Sequence, residues 1–299
     1  MKYANWNVPE RGAEIPRSLL AAGCTPLLAA ILHLRGLSEP GAARSFLRGG
    51  AETLTNPLEL TGMVDAVQRL SRAVATGEHV AVYGDYDVDG ITAACLLTDY
   101  LRSRGLTCEL YIPDRIREGY GLNNAAIDAL AEKGVTLIVT VDCGVTNLEE
   151  TAYAAQRGVD MIVTDHHECR ESLPEAEAVV DPKQPDGNGI GTALAGVGVA
   201  FKLVCAMDGD AGITDDMIEE MLARYGDLVA VGTVADVMPL LGENRFITRS
   251  GLQKIAAGDC RPGFLALAEE AGVRDKPFTA STVGFSLAPR INAAGRLGE

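Results

Sequence analysis

Between about residues 77 and 240, short apolar runs alternate with segments of helical period. The run 79–84 precedes helix-like 90–104, and the run 108–112 precedes a loop and helix-like 123–133. The run 136–141 precedes helix-like 147–157, and 159–163 opens directly onto a pair of histidines. Val179-Val180 then leads into Asp181-Pro182. Strands and helices taking turns at this spacing predict βαβ units and a parallel sheet. The strands read as continuous apolar runs, as a sheet covered on both faces requires. The expected class is α/β, a parallel sheet flanked by helices.

Either side of this region the pattern is helical. Residues 1–76 form a helical lead-in: Thr25-Pro26 and Ser38-Glu39-Pro40 read as N-caps followed by an early-turn proline, and Thr61 with Asp65 is one residue too long for a capping box. Met63, Ala66, Val67, Leu70, Ala73 and Val74 form an i, i+3, i+4 stripe that would pack on the α/β region. After a polar loop at 187–191, a helix with small residues is expected over 194–203, where Gly196 and Gly198 allow either close packing or approach to a phosphate. Helix-like 215–225 precedes an apolar run, 228–235, that ends in Asp236. Residues 241–299 read as helical at 250–257 and 262–271, and Ala288-Pro289-Arg290-Ile291-Asn292-Ala293-Ala294-Gly295-Arg296 stops as a helix begins, which suggests a piece of a longer protein. The expected divisions are 1–76, 77–240 and 241–299.

Composition narrows the class. With 299 residues and 47% hydrophobic content, the chain can bury one large or two ordinary cores. The start at Met1–Asn7 is polar and lacks the apolar core of a signal peptide. The longest apolar stretch, 19–34, is interrupted by Gly23, Thr25 and Pro26 and is too short to span a bilayer. The seven cysteines include no CxxC pair, which argues for a reducing, cytoplasmic setting and against a disulfide frame or structural zinc. Cys143 and Cys169 are expected to pack. A net charge of −15 is unlike the basic footprint of most nucleic-acid binders. Carboxylates that hold cations are neutralised in use, however, and basic patches can coexist with an acidic surface.

The candidate chemistry lies at the ends of the apolar runs. Asp85-Tyr86-Asp87-Val88-Asp89-Gly90 follows the first, Asp142 follows the run 136–141, and Thr164-Asp165-His166-His167-Glu168 follows 159–163, holding half of the four histidines. Sites on parallel sheets form beyond the carboxyl ends of the strands, so three unconnected loops deliver acids and imidazoles to one edge. Hard divalent cations such as Mn²⁺ and Mg²⁺ take carboxylate oxygens, and imidazole suits manganese-type ions. Asp85, Asp87, Asp89, Asp142, His166 and Asp236 are the candidate metal ligands, and an acid shared by two ions would set them about 3.5–4 Å apart. In an extended backbone His167 points away from His166, free to bind a substrate oxygen, while Asp165 could orient a histidine. The bland alternative for the triple-aspartate loop is a solvated turn in which Asp89 caps a helix. A rival for that loop is the nucleophile motif of haloacid-dehalogenase-type phosphatases, which also requires a lysine at a strand end and a late acidic pair; no such lysine is evident.

In combination, Val82-Tyr83-Gly84-Asp85-Tyr86-Asp87-Val88-Asp89-Gly90, Val141-Asp142-Cys143-Gly144, Thr164-Asp165-His166-His167-Glu168 and Val234-Ala235-Asp236-Val237-Met238-Pro239-Leu240 resemble the four motifs of the DHH phosphoesterase family, within it the single-strand-specific 5′-to-3′ DNA exonucleases. Ile112-Pro113-Asp114-Arg115, Glu118-Gly119-Tyr120-Gly121-Leu122, Gly242-Glu243-Asn244-Arg245 and the segment 288–296 fit that branch as well. The resemblance implies a Rossmann-like catalytic domain at 77–240 and a helical connector at 241–299 leading towards a DHH-associated domain that this chain does not contain. It implies two Mn²⁺ or Mg²⁺ ions on Asp85, Asp87, Asp89, Asp142, His166 and Asp236, activating water for hydrolysis. It also implies catalytic roles for Asp142, Asp165 and His167, and substrate contacts from Arg115, Tyr120, Arg290, Asn292 and Arg296. The implied activity is hydrolysis of single-stranded DNA from a 5′ end to 5′-mononucleotides, in recombination and repair. The implied partners are a single-strand-binding protein and a helicase, and the implied state is a monomer without membrane attachment. The alternatives are a relative acting on short oligonucleotides, cyclic dinucleotides or pyrophosphate, and a non-catalytic binding module. Loss of metal ligands would mark the second, and none is lost.

Overall fold

The computed structural model describes residues 15–209 and 213–297; the polar start at Met1–Asn7 and the last two residues lie outside the described residues. The chain forms two compact units, divided between Thr53 and Leu54. In the first, α1 (Arg17–Ala21), α2 (Pro26–Leu34) and α3 (Pro40–Arg48) enclose a small core of Leu19, Ala29, Leu32 and Ala43. Thr25 caps α2 as expected, its hydroxyl accepting from Leu28 N–H, with Pro26 in the first turn. Ser38 does not cap α3; its hydroxyl instead bonds His33 Nδ1 at 2.8 Å. Among the described residues no helix is long and apolar enough to cross a membrane.

The second unit opens with α4 (Met63–Thr76), followed by β1 (His79–Gly84), α5 (Val88–Ser103), β2 (Thr107–Tyr111), α6 (Asn124–Glu132), β3 (Leu137–Val141), α7 (Leu148–Gln156), β4 (Asp160–Thr164) and β5 (Ala178–Val180). Then come α8 (Gly196–Asp208), α9 (Asp215–Ala235), α10 (Gly242–Ala257), α11 (Pro262–Glu270), the short α12 (Ala280–Thr282), a π-helical turn (Val283–Leu287) and α13 (Ala288–Leu297). The five strands pair in parallel in the order β2-β1-β3-β4-β5. This order reverses direction at the β1/β3 boundary, where ligand crevices form in such sheets.

One face of the sheet carries Ala81, Tyr83, Ile138, Met161 and Val163 against Ile127 and Leu130 of α6 and Ala154 of α7. The other is covered by α5 and α8, with α9 packed on both and α10 on α9. The stripe on α4 is buried at Met63, Ala66, Leu70 and Ala73 and meets β5 and α8. The compact unit that contains α4 begins at Leu54. The N-cap of α4 is Gly62 in a left-handed conformation (φ +80°), so Thr61 is not the cap; a Cβ at Gly62 would collide with the Val179 carbonyl.

Two further differences matter for the site. Helical 215–225 and the apolar run 228–235 are one continuous helix, α9, apolar along its second half because it is buried between neighbours. Asp236 therefore projects from a helix C-terminus rather than from a strand end. The GxG segment starts α8, and its glycines face side chains of the protein itself, Asp142 for Gly196 and Leu194 for Gly198.

Candidate metal centre

Asp85 follows β1, Asp142 follows β3, and Asp165 and His166 follow β4, so the ends of adjacent strands bring these groups together. The ladder continues one residue past each strand: Asp142 N–H donates to Thr164 O (3.1 Å) and Asp165 N–H to Val180 O (3.0 Å). Asp142 itself adopts φ +60°, a region that aspartate tolerates better than most residues. That turn seats its carboxylate under α8, where a Cβ on Gly196 would lie 2.5 Å from Asp142 Cβ. Glycine at 196 is thus a condition of close packing.

The aspartates of the first loop divide their work. Asp87, not Asp89, caps α5, its Oδ1 accepting from Asp89 N–H (2.8 Å) and Gly90 N–H (3.1 Å). Asp89 is buried and instead accepts from Gly196 N–H (2.7 Å) and Val197 N–H (2.9 Å). It therefore satisfies the first-turn donors of α8, a helix whose own N-cap, Ala195, has no capping side chain. A carboxylate at a helix N-terminus is also favoured by the peptide dipoles.

Three sets of ligand atoms lie mutually close: Asp85, Asp87 and Asp142; Asp142, His166 and His167; Asp89, His166 and Asp236. Asp142 and His166 each belong to two sets. His166 Nε2 stands 3.0 Å from Asp142 Oδ1, 3.7 Å from Asp236 Oδ2 and 3.8 Å from Asp89 Oδ2. Asp85 Oδ1, Asp142 Oδ1 and both ring nitrogens of His166 are buried without a hydrogen-bond partner. Such atoms are costly in a dry interior unless something charged meets them. Hard oxygens with one imidazole are the donor set that Mn²⁺- or Mg²⁺-type ions take, and these residues fit one ion or an adjacent pair.

The electrostatics agree. Burial pushes Asp85 and Asp236 up to about 6, with Asp87 adding repulsion to both. Burial, then repulsion from neighbouring aspartates, raises Asp142 well above the carboxylate range, and Asp89 is raised chiefly by burial. Burial and the neighbouring His167 pull His166 down to about 4, so its ring is neutral, with a lone pair to offer, at physiological pH.

The histidine pair departs from the extended geometry expected of it. Asp165 Oδ1 accepts from both His166 N–H (2.8 Å) and His167 N–H (3.3 Å), which bends the chain. The two rings consequently lie 4.5 Å apart, tilted by 58°. Asp165 also bonds His167 Nδ1 at 2.7 Å and takes Val145 N–H at 3.0 Å. Burial opposes ionisation of Asp165, but the His167 bond and charge outweigh it and hold the carboxyl below its usual value. The same bond raises His167.

From His167 a run of rings leads outward. Tyr120 meets it edge-on (5.9 Å, hydroxyl to Nδ1 3.3 Å), Tyr86 meets Tyr120 (6.4 Å), and the Arg115 guanidinium lies 4.5 Å above the Tyr86 ring. Of the candidate residues in α13, Arg290 donates to the Ser286 carbonyl (2.8 Å), Asn292 has a buried, unpartnered Oδ1, and Arg296 is exposed. A Cβ at Gly295 would come within 3.6 Å of the Tyr86 carbonyl, so α13 passes beside the first aspartate loop. Cys143 is buried in the core and Cys169 packs at its margin, as expected.

Sequence reasoning missed the supporting residues: the N–H groups of Gly196 and Val197, Gly232, where a Cβ would strike Thr92 Oγ1 and Asp89 Oδ1, and Asp181, buried after β5 with Oδ2 unpartnered. The one available signal was an acid following the short apolar run at 179–180.

A parallel sheet with this strand order, carrying carboxylates and imidazoles at its switch point, defines an α/β scaffold able to hold divalent cations. The family model described as "DHH family, N-terminal domain" matches residues 79–233, and the chain belongs to that family. It is 40% identical over 273 residues to the single-stranded-DNA-specific exonuclease RecJ of Bacillus subtilis (strain 168), covering 91% of this chain and 33% of that protein. A crystal structure of exonuclease RecJ bound to manganese matches with TM-score 0.71 and 39% identity, covering 82% of this chain and 60% of that one. RecJ of Thermus thermophilus in complex with Mn²⁺ matches with TM-score 0.77 and 34% identity, covering 95% of this chain and 39% of that one. The chain spans a third to a half of the length of the curated relatives it matches.

Proposed function

We propose that this chain is the catalytic part of an exonuclease that hydrolyses single-stranded DNA from a 5′ end, releasing 5′-mononucleotides, in recombination and repair. The observation that carries the reading is the sharing of Asp142 and His166 among adjacent ligand sets. Asp85, Asp87, Asp89, Asp142, His166 and Asp236 would hold Mn²⁺ or Mg²⁺. Bound there, such ions supply Lewis-acid polarisation of a phosphoryl oxygen and lower the pKa of an attacking water.

The remaining work falls to the chain. Asp165 fixes the His167 ring through Nδ1, leaving Nε2 to donate to a phosphate oxygen. Asp165 is thus a positioning residue. Arg115, held over the Tyr86 ring, offers a guanidinium fork to a neighbouring phosphate, and Tyr120 offers a ring edge and a hydroxyl. Arg290 and Arg296 on α13, with Asn292, extend that surface. Residues 77–240 carry the chemistry, 1–76 form the lead-in, and 241–299 lead towards a further domain. The setting is the cytoplasm and the state a monomer. Single-stranded DNA is the substrate, with a single-strand-binding protein and a helicase as partners that expose it.

The test is Mn²⁺-dependent release of mononucleotides from a 5′-phosphorylated single strand, with a duplex and a dinucleotide run alongside. Stepwise 5′ release from the single strand is expected. Cleavage of the dinucleotide alone would replace this reading by one of a short-oligonucleotide phosphodiesterase.

A further inference from the structure

Asp236 is the metal-ligand candidate delivered by a helix end, and the backbone beyond it is strained. Val237 has φ +61° and is 85% exposed. A β-branched residue in the left-handed region is unfavourable and persists only where its surroundings impose it. On the α9 side, Asp236 and Met238 N–H donate back to Gly232 and Thr233 carbonyls (2.9 and 3.3 Å). On the other side stands the first turn of α10.

Asn244, only 2% exposed, donates from Nδ2 to two carbonyls, Pro239 O at 3.2 Å and Ala193 O at 2.5 Å. The first closes the strained loop two residues beyond Val237. The second grips the segment just before α8, whose first N–H groups hold Asp89. One amide thus joins the backbone bearing Asp236 to the backbone supporting Asp89, the two carboxylates that meet His166 in one ligand set. Glu243 secures the same turn. Its carboxylate pairs with the buried Lys202 Nζ of α8 at 2.5 Å and accepts from Thr55 Oγ1, while Lys202 also donates to Thr55 O at 2.7 Å.

We infer that Asn244, backed by the Glu243–Lys202 pair, is a positioning residue that sets the spacing of Asp236 and Asp89 and thereby the cation affinity of that half of the centre. The inference rests on the metal-binding reading of the site. Without the amide, the Ala193 and Pro239 carbonyls lose the donor that joins them, and the left-handed turn at Val237 relaxes. Asp236 then leaves the position that its partners require. A turn placed only for stability would shift melting and leave cation affinity unchanged.

The test is calorimetric titration of the metal-free full chain with Mn²⁺, beside thermal melting followed by circular dichroism. Asn244→Gln and Asn244→Met fill nearly the same volume and differ in the amide. In Asn244→Met, Mn²⁺ affinity should fall about 10–100-fold, the range for groups that orient metal ligands. Asn244→Gln keeps the amide but adds a methylene at a buried position, so it should weaken binding clearly less than Asn244→Met. If Asn244→Met does not fold, Asn244→Ser is read on the same scale, with the same loss expected. A folded Asn244→Met or Asn244→Ser variant that binds Mn²⁺ like wild type overturns the inference, and so does equal weakening in Asn244→Gln and Asn244→Met. Failure of the wild type itself to bind Mn²⁺ overturns the metal-binding reading instead, so the two failures are distinguishable.

Discussion

Asp142 bears three demands at once. It sits at positive φ, it is buried under Gly196, and it belongs to two ligand sets. Asparagine keeps the volume and tolerates the conformation, so Asp142→Asn isolates the charge. We expect this variant to lose Mn²⁺-dependent hydrolysis by at least about 10³-fold, since Asp142 belongs to two of the ligand sets that would hold the ions. In the metal-free state it should be more stable than wild type by about 1–3 kcal/mol, because a buried, mutually repelling carboxylate is removed. Unfolding in denaturant with and without Mn²⁺ checks both signs; a variant less stable than wild type without metal would contradict the electrostatic account. Asp165 and His167 give the pH dependence. The His167 pKa is raised by its partner, so its share of the stability is present below the ordinary histidine value and is lost as pH rises through the folded one. The Asp165 pKa is lowered, so its share is present above the ordinary carboxylate value and is lost as pH falls through the folded one. In metal-free Asp165→Asn, the His167 ring followed by NMR should titrate at lower pH than in wild type, and turnover should drop about 10²–10⁴-fold.

At the scale of elements, the centre depends on α8 starting where it does. Its uncapped N-terminus is satisfied by Asp89 from another loop, and Gly196 allows Asp142 to approach. Gly196→Ala adds one methyl group against the Asp142 side chain. We expect it to cost about 1–3 kcal/mol in denaturant unfolding, as overpacking does, and to weaken Mn²⁺ binding in the folded protein. Gly198→Ala meets only the Leu194 side chain and should leave Mn²⁺ affinity unchanged. Equal effects from the two glycines would show that α8 is merely packed and not a support for the carboxylates.

The whole molecule separates stability from chemistry by the direction of the sheet. At the amino ends of the strands, Arg69 of α4, with 5% side-chain exposure, bonds Glu78 before β1 (2.8 and 3.0 Å) and Asp160 at the start of β4 (2.7 and 2.9 Å). Arg69→Met should cost about 2–4 kcal/mol, since it leaves two carboxylates without their shared cation. Activity per folded molecule should be unchanged. A loss of activity at full folding would mean that strain passes through the sheet to the carboxyl edge. Five of the 41 acidic residues, Asp85, Asp87, Asp89, Asp142 and Asp236, are gathered where cations would neutralise them, so the net charge of −15 overstates the repulsion that a polyanion would meet at the site.

Alternation of apolar runs with helical segments determined the α/β class, the parallel sheet and the edge on which the site would lie, since period and strand direction are local properties. The acid-tipped runs named Asp85, Asp87, Asp89, Asp142 and His166 for the same reason. Tertiary structure decided what depends on partners distant in the chain. The second half of α9 is apolar because it is buried on several sides, so its run could not be told from a strand until its neighbours were known. Whether Asp87 or Asp89 caps α5 was settled by α8, which claims Asp89. The bend that brings the His166 and His167 rings together comes from the Asp165 carboxylate, and the grip of Asn244 on two separate carbonyls has no counterpart in any local pattern. Residue types and periodicity announce which groups are present; only the packed chain determines which of them share an atom's width of space, because that depends on burial and on hydrogen bonds between segments far apart in sequence.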